Sequence, residues 1–324
     1  MRRSSIRLTL LGRGGFISTR SEQVKALTAQ LEQGVKDVFH SDNYLNFLRT
    51  MAKFHSYSVN NELLIHLQCP NASFVAGYTT WRDKFHRHVK AGEQGIRILA
   101  PAPYKCHEEV EDPITHEQVL RPITVMSYRT AVCFDYSQTE GEPLPELIHE
   151  LTGDVSQYED LLEAIRRISP VPIDFMAVPG QAYGYFSPSE SKIAIQSGLS
   201  QVQTVKTALH ELTHSLLHNK DVLKENQKDR RTIEIEAEST AFVVSSSLGL
   251  SVEEYSFPYV ASWSSSQSVK ELKSSLETIR QTSSHIIDQL QAEMRSIQME
   301  RSQEQIIVHQ ELPEHIQHQA HISL

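Results

Sequence analysis

His210-Glu211-Leu212-Thr213-His214 is the stretch of this 324-residue chain whose residue types and spacing could do chemistry. Four residues apart on a helix, His210 and His214 share a face and can offer imidazole nitrogens to one metal ion. Glu211 stands beside them, within reach of a water on that ion. Two imidazoles and a carboxylate on one helical turn suit zinc-assisted hydrolysis. The ion acidifies water and polarises a carbonyl, and Glu211, as general base, takes the proton and passes it to the leaving amine.

A tetrahedral ion held this way needs a third protein ligand. His218 lies about 12 Å along the axis from His210 on an unbroken helix. With zinc–nitrogen bonds of about 2.0–2.1 Å, one ion cannot hold both, so His218 reads as a helix-end residue. The cluster Glu234-Ile235-Glu236-Ala237-Glu238 is the better source, because Glu234 and Glu238 share one helix face while Glu236 points away. Glu234 follows His214 by 20 residues. That pattern resembles the gluzincins, and the resemblance implies Glu234 as ligand and Glu238 as the hydrogen-bonding partner that orients a ligand histidine. The exchange of those two roles is the alternative. An oxyanion donor is also required, and Tyr183, Tyr185 and Tyr255 are the candidates.

Several elements must position these groups. The metal helix should run over 201–219, packing on Val205, Ala208, Leu209 and Leu212. Before it, Tyr183–Phe186 and Lys192–Ile195 read as a strand pair around the turn Ser187–Ser191, with Ile173–Val178 as a further strand. An edge strand there can pair with an extended peptide. Tyr158–Ile168 reads as a helix. The acidic cluster opens another that runs to Leu248 and stops at Gly249. Val269, Leu272, Leu276, Ile279, Ile286, Leu290, Met294 and Ile297 predict a long amphipathic helix that closes the core. Residues 299–324, rich in Gln and His, read as a disordered tail.

The first half is patterned differently. Val24, Leu27, Leu31, Val35 and Phe39 predict one helix, and Tyr44, Leu45, Phe47, Leu48 and Met51 a second behind the capping residues Ser41-Asp42-Asn43. Phe54–Asn61 reads as a connection to a short helix, Glu62–Gln68, stopped by Pro70. Ile96–Pro101 is a strand, 104–124 a hairpin excursion or loop, and Val125–Asp135 a closing strand. Residues 137–146, with Gly141, Pro143 and Pro145, read as a linker.

Composition sets the bounds. Hydrophobic content of 39% and charged content of 22% fit a globular chain of two domains. The net charge of −9 means that any nucleic-acid face must be local. Cys69, Cys106 and Cys133 are odd in number and unpaired in spacing, as expected of reduced thiols in the cytoplasm. No apolar run nears the roughly 20 residues that span a bilayer. The apolar stretch near the N-terminus is broken by Arg7 and ends at Gly12, so residues 1–20 read as a disordered leader.

From Asn43 to Lys105 the sequence holds eight Lys or Arg against three acids, with Phe54, Tyr57, Tyr78, Trp81 and Phe85 interleaved. Cations follow phosphates and rings stack on exposed bases, which is what single-stranded nucleic acid requires. The same composition suits a small α+β domain whose aromatics are core and whose cations are solvated, the reading that composition alone favours and that a family resemblance reverses. The residues assigned to this face are Tyr57, Asn60, Asn61, Trp81, Arg82, Lys84, Arg87, Lys90 and Arg97.

Ser58-Val59-Asn60-Asn61-Glu62-Leu63-Leu64-Ile65, then Val75-Ala76-Gly77-Tyr78 and Trp81, then Val89 through Pro101, resemble the N-terminal domain of ArdC-type antirestriction proteins over about residues 22–136. The resemblance implies a domain that binds single-stranded DNA. Gln201–Leu209, Glu236-Ala237-Glu238-Ser239 and Tyr255–Trp263 resemble the ImmA/IrrE-type zincin domain as it occurs behind such domains. The two together imply a protein of a mobile genetic element with one zinc ion. The fold class expected is α+β in two domains: a small α+β DNA-binding domain over 21–136, and a mainly helical zincin-like metallopeptidase domain with a short antiparallel sheet over 147–298. The partners expected are single-stranded DNA and a protein or peptide substrate, with no membrane. The alternatives are an endopeptidase that cleaves a repressor, and a catalytically silent zinc-binding scaffold.

Overall fold

The computed structural model describes residues 20–39, 41–111, 118–144, 155–217, 228–250, 255, 257 and 260–311. The expected leader, apart from Arg20, and residues 312–324 of the expected tail lie outside them, as does His218. The chain divides into two compact units, one of residues 1–30 with 99–131 and the other of 31–98 with 132–324.

In the first unit, β4 (Tyr104–Glu111) and β5 (Gln118–Val125) form an antiparallel hairpin, from the pair Tyr104 and Val125 to the pair Glu111 and Gln118. The excursion expected over 104–124 is therefore a hairpin. The N-terminal part of α1 (Arg20–Val38) also belongs here, where Thr130 Oγ1 donates to Gln23 Oε1 at 3.1 Å.

The second unit holds both functional regions. Helix α2 (Ser41–Lys53) buries Tyr44, Phe47, Leu48 and Met51, the face its spacing predicts. Helix α3 (Val59–Gln68) starts one turn before the expected Glu62, because the Ser58 side chain accepts the Asn61 N–H as an N-cap. Strand β1 (Val75–Gly77) pairs antiparallel with β6 (Tyr128–Asp135), in a sheet of order β1-β6-β3 with β3 spanning Ile96–Pro101. A core of Phe54, Ile65, Ala72, Val75, Ile96 and Cys133 packs there, with Tyr57, Cys69 and Ile98 against it. Helix α4 (Tyr78–Phe85) ends at His86 in the left-handed region, and β2 (Arg87–Val89) then pairs with β7 (Thr139–Gly141). Gly141 has no room for a side chain, since a Cβ would lie 2.5 Å from the His86 carbonyl oxygen.

Around the metal motif stand α5 (Val155–Ile168), β8 (Ile173–Met176), β9 (Gly184–Ser187), β10 (Lys192–Gln196) and α6 (Gln201–Leu217). After them come α7 (Arg230–Ser247), α8 (Val260–Ser264) and α9 (Val269–Glu311). The short sheet has order β8-β10-β9 and is mixed rather than antiparallel, since β8 runs parallel to β10. The parallel pair follows from the connection: β8 reaches β10 by way of β9, which reverses direction between them. Helix α7 begins at Arg230, capped by the Asp229 side chain on Thr232 N–H, so the acidic cluster sits in its second turn and not at its start. Helix α9 continues to Glu311, past residue 299 where disorder was expected. Its buried line of Leu272, Leu276, Ile279, Ile286, Leu290 and Ile297 is the one the spacing predicts.

Helices on both sides of the expected linker share one core. Helix α2 packs on α7, and Tyr44 hydroxyl meets Ser239 hydroxyl at 2.6 Å. Phe39 meets Trp263 edge to face, and Tyr44 meets Phe257 likewise. The architecture is α+β, with a helical region and short sheet at the metal motif. No described helix is long and apolar enough to cross a membrane.

Candidate metal centre

Helices α6 and α7 bring the sequence-predicted ligands together. His210 and His214 Nε2 atoms face each other at 3.0 Å, and each lies 3.7 Å from Glu234 Oε2. Four ligands at about 2.0–2.1 Å around a tetrahedral ion stand about 3.3–3.4 Å from one another. The three observed separations straddle that value, so the donor set fits one zinc-sized ion. Glu238 Oε2 lies 3.0 Å from His210 Nδ1, the partner that would hold the ring with Nε2 turned to the centre. Lys206 Nζ lies 3.5 Å from the other Glu238 oxygen and 3.8 Å from the centroid of the Tyr255 ring. Glu236, on the opposite face, is fully buried and paired with Lys228 at 2.8 Å.

The electrostatics follow from these contacts. Burial works against a charged His210, but the Glu234 and Glu238 carboxylates outweigh it and push the imidazole up to about 9. The His210 and His214 contacts hold Glu234 far below the usual carboxylate range. Burial opposes ionisation of Glu238, yet His210 and Lys206 bring it below its ordinary value. Glu211 moves the other way. It is 8% exposed, and burial raises its carboxyl despite His210, His214 and the Phe186 N–H. A raised carboxyl beside the ligands is what a group that must take and return a proton needs.

Strand β9 forms one rim of the site and is the sheet's edge. Tyr183 accepts from Gln196 N–H, and Tyr185 stands opposite Ala194. The alternate residues, Gly184 and Phe186, therefore turn their backbone groups to the free edge, and Phe186 N–H reaches Glu211. Two cavities open along this edge, of about 280 and 560 Å³, and both are lined by Gly184, His210 and Glu211. Tyr183 lines the smaller and Tyr185 the larger. Tyr255 is buried, with its hydroxyl 3.1 Å from Ser245 and its ring under Lys206, so it is no oxyanion donor.

The residues assigned to the DNA face separate into two groups. Trp81 is fully buried and donates its indole N–H to Phe134 O at 2.9 Å, so it is a core residue with no ring face to offer a base. Arg87 is 6% exposed. It donates to Thr139 Oγ1, Thr139 O, Gly141 O and Glu142 O and stacks over the Tyr136 ring, so its guanidinium is spent inside the fold. Tyr57 is half-buried and packs on the core, its hydroxyl 3.3 Å from Val75 O. Asn60, Arg82, Lys84, Lys90 and Arg97 are exposed, and Asn61 is half-exposed. Arg82 pairs with Asp83, and Lys90 Nζ donates to Ser137 O.

Residues 18–133 match the family described as the N-terminal domain of anti-restriction factor ArdC. This segment is an ArdC-type domain. The chain is also 26% identical to an uncharacterised protein of Bacillus anthracis over 321 aligned positions, covering 86% of this chain and 53% of the relative. It thus spans about half the length of that relative. Two crystal structures of the antirestriction ArdC protein from the R388 plasmid, one metal-free and one Mn(II)-bound, are similar at 21% and 19% identity. They cover 74% of this chain and 86% and 85% of their own, each with a TM-score of 0.47.

On helix α4, an exposed aromatic was missing from the assigned face. Tyr78 is 52% exposed and stands four residues before Arg82 on the same face of α4. Trp81 and Phe85, also four apart, face inward toward Phe74. The helical period does not carry that signal: Tyr78 lies three residues before Trp81 and seven before Phe85, on their side of the helix, so its exposure is set by what packs around the first turn of α4 and not by spacing.

Proposed function

We propose that the chain is an antirestriction-type protein of a mobile genetic element, in which an ArdC-type domain binds single-stranded DNA and α6 and α7 carry a zinc peptidase centre. The observation that carries the catalytic part is the convergence of His210, His214 and Glu234 beside a Glu211 carboxyl raised by burial. Two imidazoles and one carboxylate are the donor set of hydrolytic zinc sites. When bound, the ion supplies a Lewis acid to polarise the scissile carbonyl. Glu238 fixes the His210 ring through Nδ1. Gly184 and the Phe186 carbonyl hold an extended peptide against the outer edge of β9, the Phe186 N–H being engaged by Glu211. Glu211 takes the proton from the attacking water and passes it to the leaving amine, and Tyr183 or Tyr185 offers a hydroxyl to the oxyanion. Cytoplasmic action on incoming DNA is the setting this reading implies.

Metal content of the purified chain tests the centre. Wild type and Glu211→Gln should each hold one zinc per chain, and His210→Ala should hold none. In mixed-peptide digests read by mass spectrometry, Glu211→Gln should lose hydrolysis by about 10²-fold or more. Equal cleavage by wild type and Glu211→Gln would sink the peptidase reading and leave the zinc-binding scaffold.

The DNA part rests on Tyr78, Arg82, Lys84, Lys90 and Arg97, exposed cations and an exposed ring of the ArdC-type domain. Removing one cation that neutralises a phosphate should lower the salt slope of single-strand affinity by roughly 0.7. Reversing Lys84, Lys90 and Arg97 together should therefore weaken binding and flatten its salt dependence. A preference for duplex, or binding indifferent to salt, would count against it.

A further inference from the structure

Helices α6 and α7 run antiparallel, and their facing side chains form a ladder with a four-residue step. Lys206 meets Glu238, Glu238 meets His210, and Glu234 meets both His210 and His214. Arg230, one turn before Glu234, carries the ladder past His214. The smaller cavity is lined by Lys206 and the larger by Arg230, and both share Gly184, His210 and Glu211. One cleft therefore crosses the centre with a cation toward each end.

The acids of this cleft are already engaged. Glu234 stands between the two imidazoles and Glu238 between His210 and Lys206. Arg230 is exposed and has no carboxylate within ion-pair distance among the described residues. Lys206 Nζ lies 3.5 Å from Glu238 and over the Tyr255 ring, and an ammonium with three donors can still meet a further acceptor. The cleft therefore presents a cation toward each end, with the place for a divalent ion between them.

We propose that this cleft selects acidic peptides: an extended chain with Asp or Glu on both sides of the bond held over Glu211, one carboxylate directed to Lys206 and another to Arg230. The inference rests on the peptidase reading of the centre. From Lys206 to Arg230 the ladder covers about three helical turns, roughly 16 Å, which an extended peptide spans in about five residues. The acids thus fall about two residues from the bond on each side. A single DNA strand is also anionic, but it offers no backbone N–H and C=O to pair along β9, so a peptide is the better fit.

The test uses full-length zinc-loaded Glu211→Gln protein and fluorescence anisotropy with the labelled peptide Ala-Ala-Glu-Glu-Ala-Leu-Glu-Glu-Ala-Ala. Its Gln counterpart and a poly-dT oligonucleotide are the competitors. The Glu peptide should bind about tenfold tighter than the Gln peptide, with Lys206→Met and Arg230→Gln each removing about threefold of that preference. Because Lys206 touches Glu238, zinc content is measured for its variant. Should that variant lose zinc, Arg230→Glu decides, with two peptides that carry Lys in place of the Glu pair on one side or the other. One of them should then bind better than the all-Glu peptide, and failure of both would overturn the proposal. Equal affinity for Glu and Gln peptides would also overturn it, as would displacement by poly-dT that depends on Lys206 and Arg230. Wild-type digestion of the same peptides separates the two readings. Glu-selective binding without cleavage removes the peptidase reading and keeps the acidic-peptide cleft, whereas cleavage of both peptides at one rate does the reverse.

Discussion

Glu62 is a carboxyl whose chemistry the interior alters. It lies in α3 with its side chain fully buried, and neither carboxylate oxygen finds a hydrogen-bond partner among the described residues. Burial pushes its carboxyl well above the usual range; Arg280 pulls it back and Glu277 adds to the rise. The folded chain therefore prefers the protonated acid, while the unfolded chain ionises near about pH 4.3. Its contribution to stability is complete below that pH and is lost as pH rises toward the folded value. Glu62→Gln should raise the urea midpoint over wild type, by a margin that grows from pH 5 to pH 8. A margin independent of pH would mean that the carboxyl is ionised in the fold. Trp81 belongs to the same scale. As a fully buried ring, its replacement by Ala should cost about 3–5 kcal/mol, read as a lowered midpoint.

At the scale of elements, the approach of β9 to α6 sets the cleft. Gly184 permits it: a Cβ there would lie 2.6 Å from Thr207 Cγ2 and 2.9 Å from Ala194 O. A valine must push β9 from α6 or bend β10, at a cost of about 1–3 kcal/mol. On the proposed function, Gly184→Val should keep the zinc content of wild type, since the candidate ligands all stand on α6 and α7, and lose peptide binding by anisotropy. Loss of zinc at the same time would show that β9 supports the ligands. Local pattern also explains what was legible here. The four-residue spacing of His210, His214, Glu234 and Glu238 put the right side chains on facing stripes. Apolar spacing marked α2, α5, α6 and α9. The parallel pairing of β8 was hidden, because strand order arises from contacts between segments and neither segment's alternation records its neighbour.

For the whole molecule, the packing of α2 on α7 has a consequence for dissection. Phe39, Tyr44 and Phe47 are buried, with Tyr44 against Ser239 and Phe257 and Phe39 against Trp263. A fragment ending at residue 144 would leave these rings in water. It should aggregate or bind a hydrophobic dye, and coexpression with residues 147–311 should rescue it. A monodisperse fragment with wild-type single-strand affinity would show that the ArdC-type domain keeps its own core. The sequence by itself marked the candidate donors His210, His214 and Glu234, with Glu238 as the alternative to Glu234, the helices that carry them and the similarity of residues 18–133 to the ArdC N-terminal domain, because each is written in short-range spacing. Tertiary structure alone decided which of the basic and aromatic residues meet solvent. Arg87 and Trp81 look like any cation and ring until segment 134–142, some 50 residues on, supplies the carbonyls and hydroxyl that bury them. A side chain's exposure depends on what packs over it from elsewhere in the chain, and no local period encodes that.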